Sequence, residues 1–161
     1  MRASLEELSS EDSKLFFSFD GFETKCKIID VYDGDTVTGV LYIDENSTKP
    51  ICYKIRLYGI NAPEMRPSRS IEDGERKQII ADATNSRDFL TSLVKDKIVD
   101  IECFGMGKYG RLLANIFVEV PIDAGFGVKG GYENGGSNHK CDRVCVNELL
   151  VQKGHANKKD Y

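Results

Sequence analysis

A chain of 161 residues, 40% hydrophobic and 30% charged, is long enough for one domain with a core of its own. No apolar run nears the roughly 20 residues of a membrane span. The net charge of −4 argues against a broad basic face for duplex binding and leaves room for a small local cationic pocket.

Residues 1–24 read as an N-terminal appendage. Ser4 and Glu7 have capping-box spacing, which predicts one short helix. Leu15, Phe16 and Phe17 are apolar enough to dock on the rest. The polar, acidic start lacks the apolar centre of a secretory signal, so an intracellular protein is expected.

The domain itself is expected over 25–161. Lys25 to Ile43 reads as two strands, rich in β-branched and aromatic residues and broken by Asp33-Gly34-Asp35. A polar turn over Asp44 to Lys49 follows. Ile51 to Tyr58 then alternates, with Ile51, Tyr53, Ile55 and Leu57 on one face and Cys52, Lys54, Arg56 and Tyr58 on the other. Pro63 and Pro67 exclude regular structure between Asn61 and Ser70. From Glu72 to Lys95 the period changes, and Ile79, Ile80, Ala83, Leu90, Leu93 and Val94 form a helical stripe.

Lys97 to Phe104 and Arg111 to Val120 read as two more strands, joined by the glycine-rich stretch Gly105 to Gly110. A glycine-rich insert occupies about 121–145. The last amphipathic segment, Arg143 to Lys153, predicts a helix with Val146, Leu149 and Leu150 together and Gly154 as its stop. The expected class is α+β, mainly β: a five-stranded OB-type barrel with two to three helices. Such barrels commonly bind oligonucleotides, although a fold alone does not give a function.

The five cysteines are odd in number and scattered, which suits free thiols in a reducing compartment. His139, Cys141 and Cys145 form the one local cluster. It suits ordinary loop thiols, or part of a zinc site that would need a fourth ligand from elsewhere.

Three segments carry polar groups in suggestive order. Asp33-Gly34-Asp35-Thr36 suits a plain turn, and equally a carboxylate aimed at a hard divalent cation. In the segment from Arg56 to Glu64, RLYGINAPE, Pro63 fixes the backbone ahead of Glu64. That glutamate suits either a surface ion pair or a base reaching one water. Lys108-Tyr109-Gly110-Arg111 lacks the spacing of a nucleotide-triphosphate loop, and a strand follows it instead of a helix. A cationic, aromatic tip there suits a phosphate and a base or sugar.

Taken together, DGDT, then R-x(5)-APE, then KYGR, then VNELLVQKGHA resemble the staphylococcal nuclease-like (thermonuclease) domain, in order, from about Lys25 to Ala156. The resemblance implies a metal-dependent nuclease acting on DNA or RNA and leaving 3′-phosphates. It implies Arg56 and Arg111 on the scissile phosphate and Glu64 as the base activating water. It implies Asp35, Asn61 and the Ala62 carbonyl as ligands of the cation, with Asp33 supporting them. Calcium is the first choice of cation and magnesium the second. Lys108 and Tyr109 match positions near the nucleotide's other phosphate. The implied partner is nucleic acid, single-stranded in preference, and no membrane.

The match has departures. Asn61 stands where many relatives carry an aspartate, which predicts weaker calcium binding. Ala62 replaces a threonine that ligates through its main chain. Gly107 replaces an aspartate, which predicts a looser loop. The alternative is a catalytically silent OB-fold module that binds nucleic acid or protein.

Overall fold

The computed structural model describes residues 17–121 and 141–160. The expected helix near Ser4 and the glycine-rich stretch up to His139 lie outside them. Strand β1 (Asp20–Asp33) is followed by β2 (Thr36–Leu41), β3 (Ile51–Leu57) and the short β4 (Ile60–Asn61). Helix α1 (Asp73–Val94) precedes β5 (Ile98–Met106), β6 (Leu112–Pro121) and β7 (Cys141–Cys145). Helix α2 (Val146–Gln152) and β8 (Asn157–Lys158) complete the order.

β1 does double duty along its length. Asp20 to Lys27 pair with β5, and Cys26 to Asp33 pair with β2, both antiparallel. Register shifts between Ile28 and Asp30 and between Val31 and Asp33 let the strand bend as it changes partner. The ring closes where β3 and β6 pair in parallel from Ile55↔Leu112 to Leu57↔Ala114. The closed order is β3-β2-β1-β5-β6, a five-stranded OB-type barrel.

Alternation fills the barrel. Cys26, Ile28, Val37, Leu41, Ile55, Leu57, Val99, Ile101, Cys103, Leu112, Ala114 and Ile116 are all buried. At Gly39 a Cβ would fall 2.4 Å from Cys26 Sγ and 2.7 Å from Ile55 Cδ1. The barrel centre therefore needs that residue to have no side chain.

Three expectations are corrected. β1 starts at Asp20 and not Lys25, because Phe19 and Phe22 pack edge-on with Phe17, and Phe19 with Tyr53. On α1 the buried set is Ala83, Ser86, Leu90, Leu93 and Val94, while Ile80 is exposed. The last helix begins at Val146. Cys141 to Cys145, the first three of its expected residues among them, form β7 on the β6 edge beyond the barrel closure. Cys141 and Cys145 are therefore strand thiols, about 13 Å apart at 3.3 Å per residue, too far to share an ion.

The C-terminal segment fastens the site region. After α2, Gly154 adopts φ +76° and its N–H bonds to the Val151 carbonyl, while the His155 N–H bonds to Leu150. This is a Schellman stop, as the glycine predicts. The chain then turns so that β8 pairs with β4, Asn61 opposite Asn157. Buried Asn147 ties α2 to the barrel: its Nδ2 donates to the Tyr58 and Ala114 carbonyls, and its Oδ1 accepts the Ile116 N–H. Among the described residues, no helix is long and apolar enough to cross a membrane.

Candidate active site

β1 and β2 meet at the turn Gly34-Asp35, with Asp33 opposite Thr36. Asp33 Oδ1 accepts the Asp35 N–H at 3.1 Å, the local bond that makes aspartate a turn former. A Cβ on Gly34 would lie 2.0 Å from Ser86 Oγ and 2.7 Å from Ala62 Cβ. Glycine thus lets the turn press directly on α1 and on the segment after β4.

Asp35 points inward from that turn and is 6% exposed. Its Oδ2 accepts the Ala62 N–H at 2.7 Å and stands 3.1 Å from Arg56 Nη2. Its Oδ1 accepts the Thr36 hydroxyl at 3.0 Å. Burial pushes the Asp35 carboxyl above its usual range, opposed by the Ala62 N–H, by the Arg56 guanidinium and by the Thr36 hydroxyl.

Arg56 is equally buried. It lies opposite Thr36 in the β2–β3 ladder, on the outer face of the barrel, but the Asn61-Ala62 segment covers it. Nη1 donates to the Leu57 carbonyl at 3.1 Å and Nη2 to Asn61 Oδ1 at 3.0 Å. Arginine has five N–H donors. Nε–H and the second Nη1 hydrogen have no partner among the described residues.

Arg111 enters the site by register. Arg56 is the partner of Leu113 in the parallel β3–β6 pair. Arg111 is the residue before β6, one step ahead of the first pair, Ile55↔Leu112. Its guanidinium lies 5.5 Å from the centroid of Tyr109, which is 82% exposed on the tip with Lys108. The tip is closed by two main-chain bonds, Gly107 N–H to Arg111 O and Gly110 N–H to Gly107 O. Glu64 is exposed two residues beyond Ala62, and it has no hydrogen-bond or ion-pair partner among the described residues.

The sequence-derived residues thus divide into three groups. Asp35, Arg56, Asn61 and Ala62 are in direct contact, with Asp33 one main-chain N–H away. Glu64 and Arg111 flank them on adjoining segments. Lys108 and Tyr109 stand further out on the tip. The sequence pattern missed Thr36, Ser86 and Asn147 as supports. For Asn147 the signal was available: an amide inside the apolar stripe of Val146, Leu149 and Leu150.

A family model for staphylococcal nuclease homologues matches residues 54–161, two thirds of the chain. The chain belongs to the staphylococcal nuclease homologue family. No curated protein matches it. The family match spans Arg56, Asn61, Ala62, Glu64, Lys108, Tyr109 and Arg111. The Asp33-Asp35 turn precedes it and is joined to this nuclease-family segment by the Asp35 contacts described above.

The family implies a divalent cation, and the donor set can be tested for it. Asp33, Asp35 and Asn61 offer side-chain oxygens and Ala62 a main-chain carbonyl, the donor type a hard cation prefers. Among the described residues, no group of three or more His, Cys, Asp or Glu converges. One Asp35 oxygen is already shared between an N–H and an arginine. The donor types suit a hard cation, at a lower ligand charge than three carboxylates would give, and Asp35 Oδ1 and Asn61 Oδ1 already accept from Thr36 and Arg56.

Proposed function

We infer that this staphylococcal nuclease homologue is a metal-assisted nuclease that hydrolyses phosphodiester bonds of DNA or RNA, single strands in preference, and leaves 3′-phosphates. The observation that carries this reading is the contact of buried Asp35, Arg56 and Ala62 with Asn61, near a Glu64 that has no hydrogen-bond or ion-pair partner among the described residues. A nuclease needs cations held rigidly at one phosphate and a carboxylate left able to take a proton.

The residues divide that work. Asp35 and Asn61 hold the Arg56 guanidinium, so that its remaining N–H donors meet phosphate oxygens without reorganisation. Arg111, just ahead of β6, supplies a second planar fork. Water attacks phosphorus in line, its proton passes to the Glu64 carboxylate, and the bond to the 5′-oxygen breaks as that oxygen takes up a proton. Asp35, Asp33, Asn61 and Ala62 would hold the cation, calcium or magnesium. When bound, it supplies charge stabilisation at the phosphate and a more acidic water.

A second reading is supported by Asn61, an amide where a third acid would raise cation affinity. In it, the barrel binds nucleic acid without cutting. Incubation with single-stranded DNA, RNA and duplex, each with calcium, magnesium or chelator, separates the two. The nuclease reading expects metal-dependent fragments ending in 3′-phosphates. Tight binding with intact substrate at high protein concentration favours the silent module.

A further inference from the structure

We propose that Tyr32 and Lys54 form a nucleotide subsite next to the Arg56–Arg111 pocket, one that takes a base and a backbone phosphate of a single-stranded nucleic acid. This deepens the nuclease reading and rests on it for the position of the scissile phosphate.

Tyr32 is the last residue of β1 before Asp33, and it is 58% exposed. Val31 pairs with Val37, both inward, so Tyr32 points out. Lys54 lies on β3, opposite Thr38 of β2. The two side chains reach toward each other across β2, and Lys54 Nζ lies 5.9 Å from the Tyr32 ring centroid. A large, rigid aromatic surface left in solvent beside a cation is the combination that single-stranded binders use: the ring stacks a base and the cation meets the backbone.

Position gives the pair its role. Lys54 is two residues from Arg56 on the same outer face, about 7 Å along the strand. Lys54 and Arg111 are the residues just before the first β3–β6 pair, Ile55↔Leu112. Three cations thus neighbour one another on a chain of net charge −4. Only Arg56 is paired with a carboxylate. Among the described residues Lys54 and Arg111 rest on the rings of Tyr32 and Tyr109 and have no acidic partner. Asp30 faces Lys54 across Thr38 and closes that end to further phosphates.

The test measures binding of a short, dye-labelled single-stranded oligonucleotide in chelator by fluorescence anisotropy, over a salt series. Tyr32→Ala is expected to weaken binding roughly 5- to 150-fold, the range of one lost base stack, and Tyr32→Phe to retain it. Lys54→Gln is expected to flatten the log–log salt slope by about 0.7, one phosphate contact on a single strand. Duplex, with its bases already stacked, should be indifferent to Tyr32→Ala. Both side chains are exposed, so the unfolding midpoint should not move. Parental affinity and parental salt slope in both variants overturn the subsite. Equal weakening for single strand and duplex overturns the stacking role. A parental protein that binds the oligonucleotide yet cuts nothing defeats the nuclease reading alone, because binding still decides the subsite. One that binds no single strand defeats both.

Discussion

Gly34 and Ser86 are in van der Waals contact through the absence of a side chain: a methyl at 34 would sit 2.0 Å from a hydroxyl that donates to the His155 carbonyl. The turn carrying Asp33 and Asp35 is thereby set by α1. Gly34→Ala is expected to cost about 1–3 kcal/mol, the usual range for overpacking, and to displace both aspartates. Ser86→Gly in the same chain should recover part of the loss, with Ala62 Cβ at 2.7 Å holding back the rest. Urea unfolding of the four proteins of that cycle decides it. Additive losses would mean that the two positions do not touch.

The ion pair of Asp35 and Arg56 is buried on both sides. Removing one partner strands the other charge. Arg56→Met is expected to destabilise by about 3–5 kcal/mol. Asp35→Asn combined with Arg56→Met should cost less than the sum of the single changes. A double-mutant cycle in urea measures the coupling, and a coupling near zero would remove the pair from the fold's energetics.

Glu64 is solvent-exposed, so Glu64→Gln should leave stability within about 0.5 kcal/mol. If it takes the water's proton, turnover should fall roughly 10²- to 10⁴-fold with substrate affinity little changed. Full activity in this variant would exclude it as the base.

Asn61 contributes a neutral oxygen that already accepts from Arg56. Asn61→Asp adds a charge without changing the shape and should tighten calcium binding, read by titration calorimetry. Unchanged affinity would show that residue 61 does not ligate the cation.

Burial pushes the Cys26 thiol up to about 12 and the Cys103 thiol up to about 11, both from 9.0. The folded state keeps these protons at pH values where the unfolded chain has released them. Their contribution is complete below pH 9 and is lost as pH rises from 9 toward 11 and 12, at up to about 1.4 kcal/mol per pH unit per thiol. Urea midpoints at pH 8 and 10.5 should differ more for the parental protein than for Cys26→Ala. Exposed Cys52 and Cys141 should alkylate at pH 8 while Cys26 and Cys103 remain protected.

Local chemistry made much of the barrel legible. The alternation of Ile51 to Tyr58, the Asp-Gly-Asp break and the long apolar stripe before Lys95 are short-range signals. What escaped depends on distant partners. Asp20 to Thr24 form a strand because β5 is there to pair with and Phe19 finds Tyr53. Cys141 to Cys145 have little strand character of their own, and their order comes from the open edge of β6 beyond Ala114. The site divides in the same way. The residue types were readable in order, whereas the burial of Arg56 depends on Asn61 and Ala62 folding over it. No strand periodicity reports that.

One edge of β6 serves two neighbours in succession, β3 up to Ala114 and β7 from Phe117 to Pro121. Pro121 and Cys141 are direct partners at the end of that second ladder. Whatever the chain carries between these two residues departs and rejoins at a single pinned gate, outside the closed ring. Lengthening such an excursion is entropically cheap, about 0.6 kcal/mol per doubling. A reporter or an entire foreign module whose own ends lie close together could be spliced in there while the end of the barrel that carries Asp35 and Arg56 keeps its shape.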